Sequence, residues 1–247
     1  MQYLTLQDSF DKILDSGSVY GYKFCLILAM IVGTLLLRRD SKNWRLNLRD
    51  KIIVFSSSLL GGLIGCAIPA YFAGGIVSKI AYEGPIGPKS VVAGLLFSFW
   101  AVALTKKIMC IKYDTSDAFA VSTASMMTIG RLGCCFRHCC FGVHTDFWFG
   151  YDFGDGINRL PIQAIEFYLM LLTTLILEFL RRKNLFENRR LFLLFSIYGS
   201  IRFFLEFYRE GISDTFLYIN IYQLIAVVLA LTGIIQIYKR SSRIYYE

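Results

Sequence analysis

The residues best able to do chemistry lie in one stretch, Gly130-Arg131-Leu132-Gly133-Cys134-Cys135-Phe136-Arg137-His138-Cys139-Cys140-Phe141-Gly142. It holds three glycines, two arginines, one of the two histidines and four of the seven cysteines. A largely uncharged segment precedes it, so Arg131 falls at the mouth of a membrane span or inside one. An ionisable group there is costly and by default marks a functional site. A guanidinium grips phosphate bidentately and keeps its charge in a low dielectric. A lipid phosphate is the phosphate most available at that depth.

Two further sets carry similar chemistry. Gly199, Arg202, Glu206 and Arg209 are spaced by three, four and three residues, which puts them on one helical face against Phe203, Phe204 and Phe207. Gln163 and Glu166 are one helical turn apart near the start of another apolar segment. Arg202 and Glu206 either neutralise each other within the helix or belong to a polar site.

The clustered cysteines admit four readings. They can form a disulfide in an oxidising compartment, act as inert core thiols, supply a thiol activated by Arg131, Arg137 or His138, or bind zinc. The adjacent pairs do not match the usual two-residue ligand spacing, so no metal is expected. Cys134 is the candidate reactive thiol by its position beside Arg131. Asp152, Asp155 and Asn158 faintly resemble part of a calcium loop, but a solvated turn is the preferred reading.

These residues need a scaffold, and composition says which. Of the 247 residues 55% are hydrophobic, and the mean hydropathy is +0.52. The apolar residues fall in blocks separated by charge clusters, the pattern of a multispanning helical membrane protein. Period-two alternation over barrel-length strands does not recur. The fold expected is an all-α integral membrane bundle of about seven transmembrane helices, forming one transmembrane domain over residues 1–247. Expected spans are Tyr20–Leu37, Ile52–Phe72, a third after Pro85 and Pro88 to Leu104, Ala118–Ile129, Pro161 to Arg181, Leu191–Phe207 and Ile219–Ile237. Gly61 and Gly65 have the small-xxx-small spacing that lets another helix approach, and Pro69 is expected to end or kink its helix. Residues 1–17 carry Asp8, Asp11 and Asp15, unlike a secretory signal; they form either a short interfacial helix or a frayed end. Residues 130–160 are the signature stretch and its loop.

The net charge of +8 does not imply nucleic acid, because the basic residues sit between the apolar blocks. The segments after the first, third, fifth and seventh spans hold most of the 26 lysines and arginines. By the positive-inside rule the amino terminus is expected outside, the carboxy terminus in the cytoplasm and the 130–160 stretch on the outer side.

Gly130-Arg131-x-Gly133 closing at Gly142 resembles the signature stretch of the prolipoprotein diacylglyceryl transferase family. So do Arg202-Phe203-x-x-Glu206-Phe207-x-Arg209, Pro161-x-Gln163-x-x-Glu166, Tyr20-Gly21 and the Ser90…Gly94-Leu95 stretch, all in family order. The resemblance implies transfer of a diacylglyceryl group from phosphatidylglycerol to the thiol of a lipobox cysteine in a preprotein, in the bacterial inner membrane. Arg131 and Arg202 are then the groups that stabilise the leaving phosphate, and Glu166 and Glu206 orient them. Tyr20 donates to phosphate or glycerol. Gly130, Gly133, Gly142, Gln163 and Arg209 complete the substrate site, and no cofactor is required. The chain departs from the family where a histidine is usual, at Val92, and where asparagines and a glutamate are usual, at Cys134, Arg137 and Cys139. Two other functions fit the residues: a related transferase with the same phospholipid donor and another acceptor, and a non-catalytic lipid-binding or thiol-redox membrane protein.

Overall fold

The computed structural model describes residues 6–42, 44, 46–73, 90–140, 142–153, 156–209 and 220–244. Its helices are α1 (Leu6–Asp40), α2 (Leu48–Ala73), α3 (Val91–Ile108), α4 (Ser116–Phe136), α5 (Ile162–Arg182), α6 (Arg190–Glu206) and α7 (Ile221–Ile244). Strands β1 (Tyr151–Asp152) and β2 (Asn158–Arg159) pair antiparallel between α4 and α5. All helices but α6 are long and apolar enough to cross a membrane. The 17 residues of α6 reach about 26 Å at 1.5 Å per residue, short of a bilayer core of about 30 Å.

The chain forms two compact units and passes back and forth between them. One comprises Met1–Asp40, Ala118–Leu185 and Phe207–Gly211; the other comprises Ser41–Asp117, Phe186–Glu206 and Ile212–Glu247.

In the first unit α1 leaves Phe24, Ile27, Ile31 and Leu35 exposed along one side, a stripe suited to lipid. The backbone of α1 is continuous from Leu6 to Asp40. α4 buries Ser122, Ser125 and Thr128 with Ala120, Val121 and Ala124, as expected of a helix too polar for lipid. The Thr128 and Thr174 hydroxyls meet at 3.0 Å, giving a polar contact between α4 and α5. α4 also runs seven residues beyond the expected end at Ile129. A Cβ at Gly133 would lie 3.0 Å from Cys25 Cβ, so this glycine lets α1 approach. At the far ends of α1 and α5, Glu178 binds Arg181 at 2.7 Å and Arg39 at 3.1 Å.

In the second unit α2 packs along α3 and α6 along α7. A Cβ at Gly65 would lie 2.5 Å from Phe97 Cβ, and one at Gly61 would lie 2.7 Å from Phe97 O, so the small-xxx-small expectation holds. α2 continues through Pro69 to Ala73. Membrane helices tolerate such a proline because neighbouring groups satisfy the one freed carbonyl. Pro85 and Pro88 lie outside the described residues. The described start of α3 is capped by Ser90, whose side chain accepts from Ala93 N at 3.3 Å. α3 extends past Leu104 to include Lys106 and Lys107, basic residues favoured in a last turn. Before α7, Asn220 and Gln223 cap each other reciprocally at 2.9 and 2.8 Å, a capping box legible as Asn-x-x-Gln. The loop ends are tied by Asp117, which accepts from Asn188 N and Arg190 N, and by Arg240, which pairs with Asp114.

Candidate active site

The first unit brings Arg131 and Glu166 together. Arg131 projects from the late turns of α4 and Glu166 from the first turns of α5. Arg131 Nη2 lies 2.8 Å from Glu166 Oε1, with Arg131 15% exposed and Glu166 fully buried. The geometry follows from the local sequence: Pro161 precedes α5 and its carbonyl accepts from Ala164 N and Ile165 N, which fixes the first turn. A carboxylate near a helix N-terminus is also favoured by the macrodipole. Gln163, one turn earlier, is 2% exposed, and among the described residues its Oε1 meets no donor. That leaves a buried acceptor close in sequence to the ion pair, open to a ligand hydroxyl or N–H.

The cysteines are positioned by how α4 ends. His138 N donates to Cys135 O at 3.3 Å and Cys139 N donates to Cys134 O at 3.3 Å. These nested bonds are a Schellman motif, with His138 as its left-handed residue at φ 49°. The motif folds Cys139 back over Cys134, and a second left-handed residue, Cys140 at φ 64°, turns its thiol to the same place. The sulfurs of Cys134, Cys139 and Cys140 all lie within 4.8 Å of one another. Cys134, Cys135, Cys139 and Cys140 are free thiols. Cys135 faces elsewhere and is not in this cluster.

Downstream, the chain is held on both sides. Gly142 bridges Arg209, Val143 N donates to Tyr208 O at 2.9 Å, and Gly142 N donates to Leu160 O at 2.8 Å. Only glycine fits at 142: an added Cβ would lie 2.6 Å from Tyr208 O and 2.7 Å from Ile162 Cγ1. This pairing places Arg209 Nη2 3.5 Å from Cys140 Sγ. Hydrogen bonds from the thiols of Cys134 and Cys139, and then the charges of Arg209 and Arg131, hold the Cys140 thiol below its ordinary range against the effect of burial. Hydrogen bonding with Cys134 and Cys140, and then burial, push the Cys139 thiol up.

Arg209 therefore does not share a helical face with Arg202. α6 stops at Glu206; Phe207 and Tyr208 turn the chain, Tyr208 O accepts from Val143 N and Arg209 bridges Gly142 instead of continuing the helix. Non-local strand pairing overrides the helical spacing. In the second unit Arg202 and Glu206 form a buried ion pair on α6, and Gly199 lets α7 approach, with Ala226 O 2.7 Å from an added Cβ. Both arginines of the expected phosphate site thus have a carboxylate, Arg131 in one unit and Arg202 in the other.

The remaining candidates are more peripheral. Tyr20 is 70% exposed, with Lys23 over its ring. Among the described residues no atom lies within 4 Å of a Cβ placed at Gly130. Arg137 stacks over Tyr22, and His138 lies against Phe153 and Tyr151. Asp152 accepts from Gly156 N at 3.0 Å, a turn contact, while Asp155 lies outside the described residues. Sequence reasoning passed over Arg159, buried on β2 beside the bridge to His144. Its signal was being the loop's only lysine or arginine after the signature stretch.

Known proteins bear on this arrangement. The family description "Prolipoprotein diacylglyceryl transferase" matches residues 12–239. The chain is 23% identical over 240 residues to the phosphatidylglycerol–prolipoprotein diacylglyceryl transferase of Campylobacter jejuni, covering 88% of each chain. It is 24% identical to the enzyme of that name from Wolbachia sp. subsp. Brugia malayi, covering 88% of this chain and 89% of the relative. It is 25% identical to the second such enzyme of Clostridium perfringens, covering 85% and 89%. With a match along nearly its whole length and helices suited to repeated membrane crossing, the chain belongs to the prolipoprotein diacylglyceryl transferase family of multi-pass membrane transferases.

Proposed function

We propose that this chain transfers a diacylglyceryl group from phosphatidylglycerol to the thiol of a lipobox cysteine in a preprotein, at the outer side of the bacterial inner membrane. The observation that carries the reading is the Arg131–Glu166 pair, a guanidinium held by a fully buried carboxylate at 2.8 Å within apolar helices. In this reaction the acceptor thiol gives up its proton to water and its sulfur forms a bond to the terminal glycerol carbon of the diacylglyceryl group. The carbon–oxygen bond to phosphate breaks, and its electron pair leaves with glycerol phosphate. Charge grows on the phosphate as the bond breaks, so a preorganised guanidinium lowers the barrier. Arg131 is the group assigned to that phosphate, with Glu166 fixing its orientation. Arg202, oriented by Glu206, is the second candidate for the same role. Gln163 Oε1 suits a headgroup hydroxyl, and Tyr20 is a hydrogen-bond donor toward the lipid.

The test is incubation of the purified protein in vesicles with labelled phosphatidylglycerol and a lipobox peptide. Label in the peptide is the expected result. Glycerol phosphate released without labelled peptide would point to another acceptor, and neither product would overturn the reading.

A further inference from the structure

We propose that Cys134, Cys139 and Cys140 bind one Zn2+ ion as thiolates and leave its fourth position for the acceptor thiol. This rests on the transferase reading above for the role of the open position, though not for the site itself. Three sulfurs within 4.8 Å of one another are arranged for a thiophilic ion. A tetrahedral zinc with bonds of about 2.3 Å holds its sulfurs about 3.8 Å apart, so closure by roughly 1 Å suffices. A disulfide would use two of these thiols and leave the third without a purpose.

The cluster is also held in place from several directions. The Schellman motif fixes Cys139 over Cys134, the left-handed Cys140 turns back toward both, and the glycine-only bridge at Gly142 anchors the segment two residues on. The charge is accounted for as well. Three thiolates around Zn2+ carry one net negative charge, and Arg209 already directs a guanidinium N–H to Cys140 Sγ at 3.5 Å. Such an outer partner orients a ligand and offsets its charge.

Three protein ligands with one open position is the arrangement of catalytic rather than structural zinc. A thiol that coordinates zinc is deprotonated outright. The acceptor cysteine then gives its proton to water on binding and presents a thiolate sulfur. That sulfur bonds to the glycerol carbon as glycerol phosphate departs with the electron pair of the broken carbon–oxygen bond. The product thioether is a weaker ligand than a thiolate and leaves the ion, so zinc is neither oxidised nor consumed.

Full-length protein purified with reduced thiols should contain about one zinc per chain by elemental analysis. Replacing zinc with Co2+ should give the near-ultraviolet thiolate-to-cobalt absorption. Cys139→Ser and Cys140→Ser should each lose the ion, Arg209→Ala should weaken binding by about tenfold, and Cys135→Ser should bind as the parent does. Adding the lipobox peptide should change the cobalt spectrum. Absence of both zinc and the cobalt absorption, or a disulfide among the three cysteines in active protein, would overturn the site. Full transfer after a chelator has removed the ion would overturn its role. Zinc bound normally in a protein that neither labels peptide nor releases glycerol phosphate would refute the transferase reading while leaving the metal site standing.

Discussion

Arg131 and Glu166 meet at 2.8 Å across two helices, the arginine near the end of α4 and the glutamate near the start of α5, and the carboxylate is closed to solvent. Removing one member of a buried pair strands the other charge, at a cost of about 3–5 kcal/mol. Arg131→Ala is expected to lower transfer on the order of a hundredfold, as for loss of one oxyanion donor. Arg131→Lys keeps the charge without the bidentate geometry and should recover only part of it. Glu166→Gln should reduce turnover while leaving the amide able to accept from Arg131. Arg202→Ala, measured alongside, tests the second candidate. Normal turnover in well-folded Arg131→Ala and Arg202→Ala proteins would remove the phosphate role from both.

The glycines of the signature stretch should separate cleanly. Gly142→Ala forces a methyl into Tyr208 O and Ile162 Cγ1, at 2.6 and 2.7 Å. It should lower thermal stability and disturb the thiol cluster, on the scale of about 1–3 kcal/mol for overpacking. Gly130→Ala meets no atom of the described residues within 4 Å and removes a helix-interior glycine, which favours the helix by about 1 kcal/mol. Thermal unfolding of the two variants in one detergent is the measurement. If Gly130→Ala lowers transfer while raising stability, the open space there belongs to the substrate.

Orientation is checked by labelling. Asp146, whose side chain is 98% exposed in the loop before β1, should react with an impermeant thiol reagent in intact cells when replaced by cysteine. A cysteine at exposed Glu187, between α5 and α6, should react only after permeabilisation. The opposite pattern would put the Arg131–Glu166 site on the cytoplasmic side.

Acid should loosen the second unit through Asp114. Burial raises its carboxyl pKa, but hydrogen bonds from Ser116 and the charge of Arg240 outweigh that and hold it below the ordinary carboxylate range. A depressed folded-state pKa means stabilisation that is complete above the unfolded value and lost as pH falls through the folded one. Asp114→Asn should lower stability at neutral pH and flatten its acid dependence. An unchanged pH profile would show that the Arg240 contact contributes little.

Most of the scaffold was legible because membrane helices are written as long apolar blocks. The close approaches at Gly61 and Gly65 and the polar buried face of α4 followed from residue type. What could not be read was decided by contacts distant in sequence. The expected end of the fourth span at Ile129 fell short: α4 continues to Phe136, with Gly133 packed closely against α1. Arg209 looked like a fourth member of the α6 face, yet pairing with Gly142 draws it into the loop. Arg131 with Glu166 was anticipated by motif. The three-thiol cluster was not, because it depends on a left-handed histidine where glycine is the commoner signal.

The link between Arg209 and Cys140 also sets an order of assembly. The two residues are 69 apart in sequence, with α5 and α6 between them. A ribosome releases the cysteine segment well before the arginine that braces it, so a nascent chain stopped after α5 has its thiols but not their anchor. The cysteine loop is therefore among the last parts of the first unit to reach its final form, and its sulfurs are most open to oxidants while the chain is still being made.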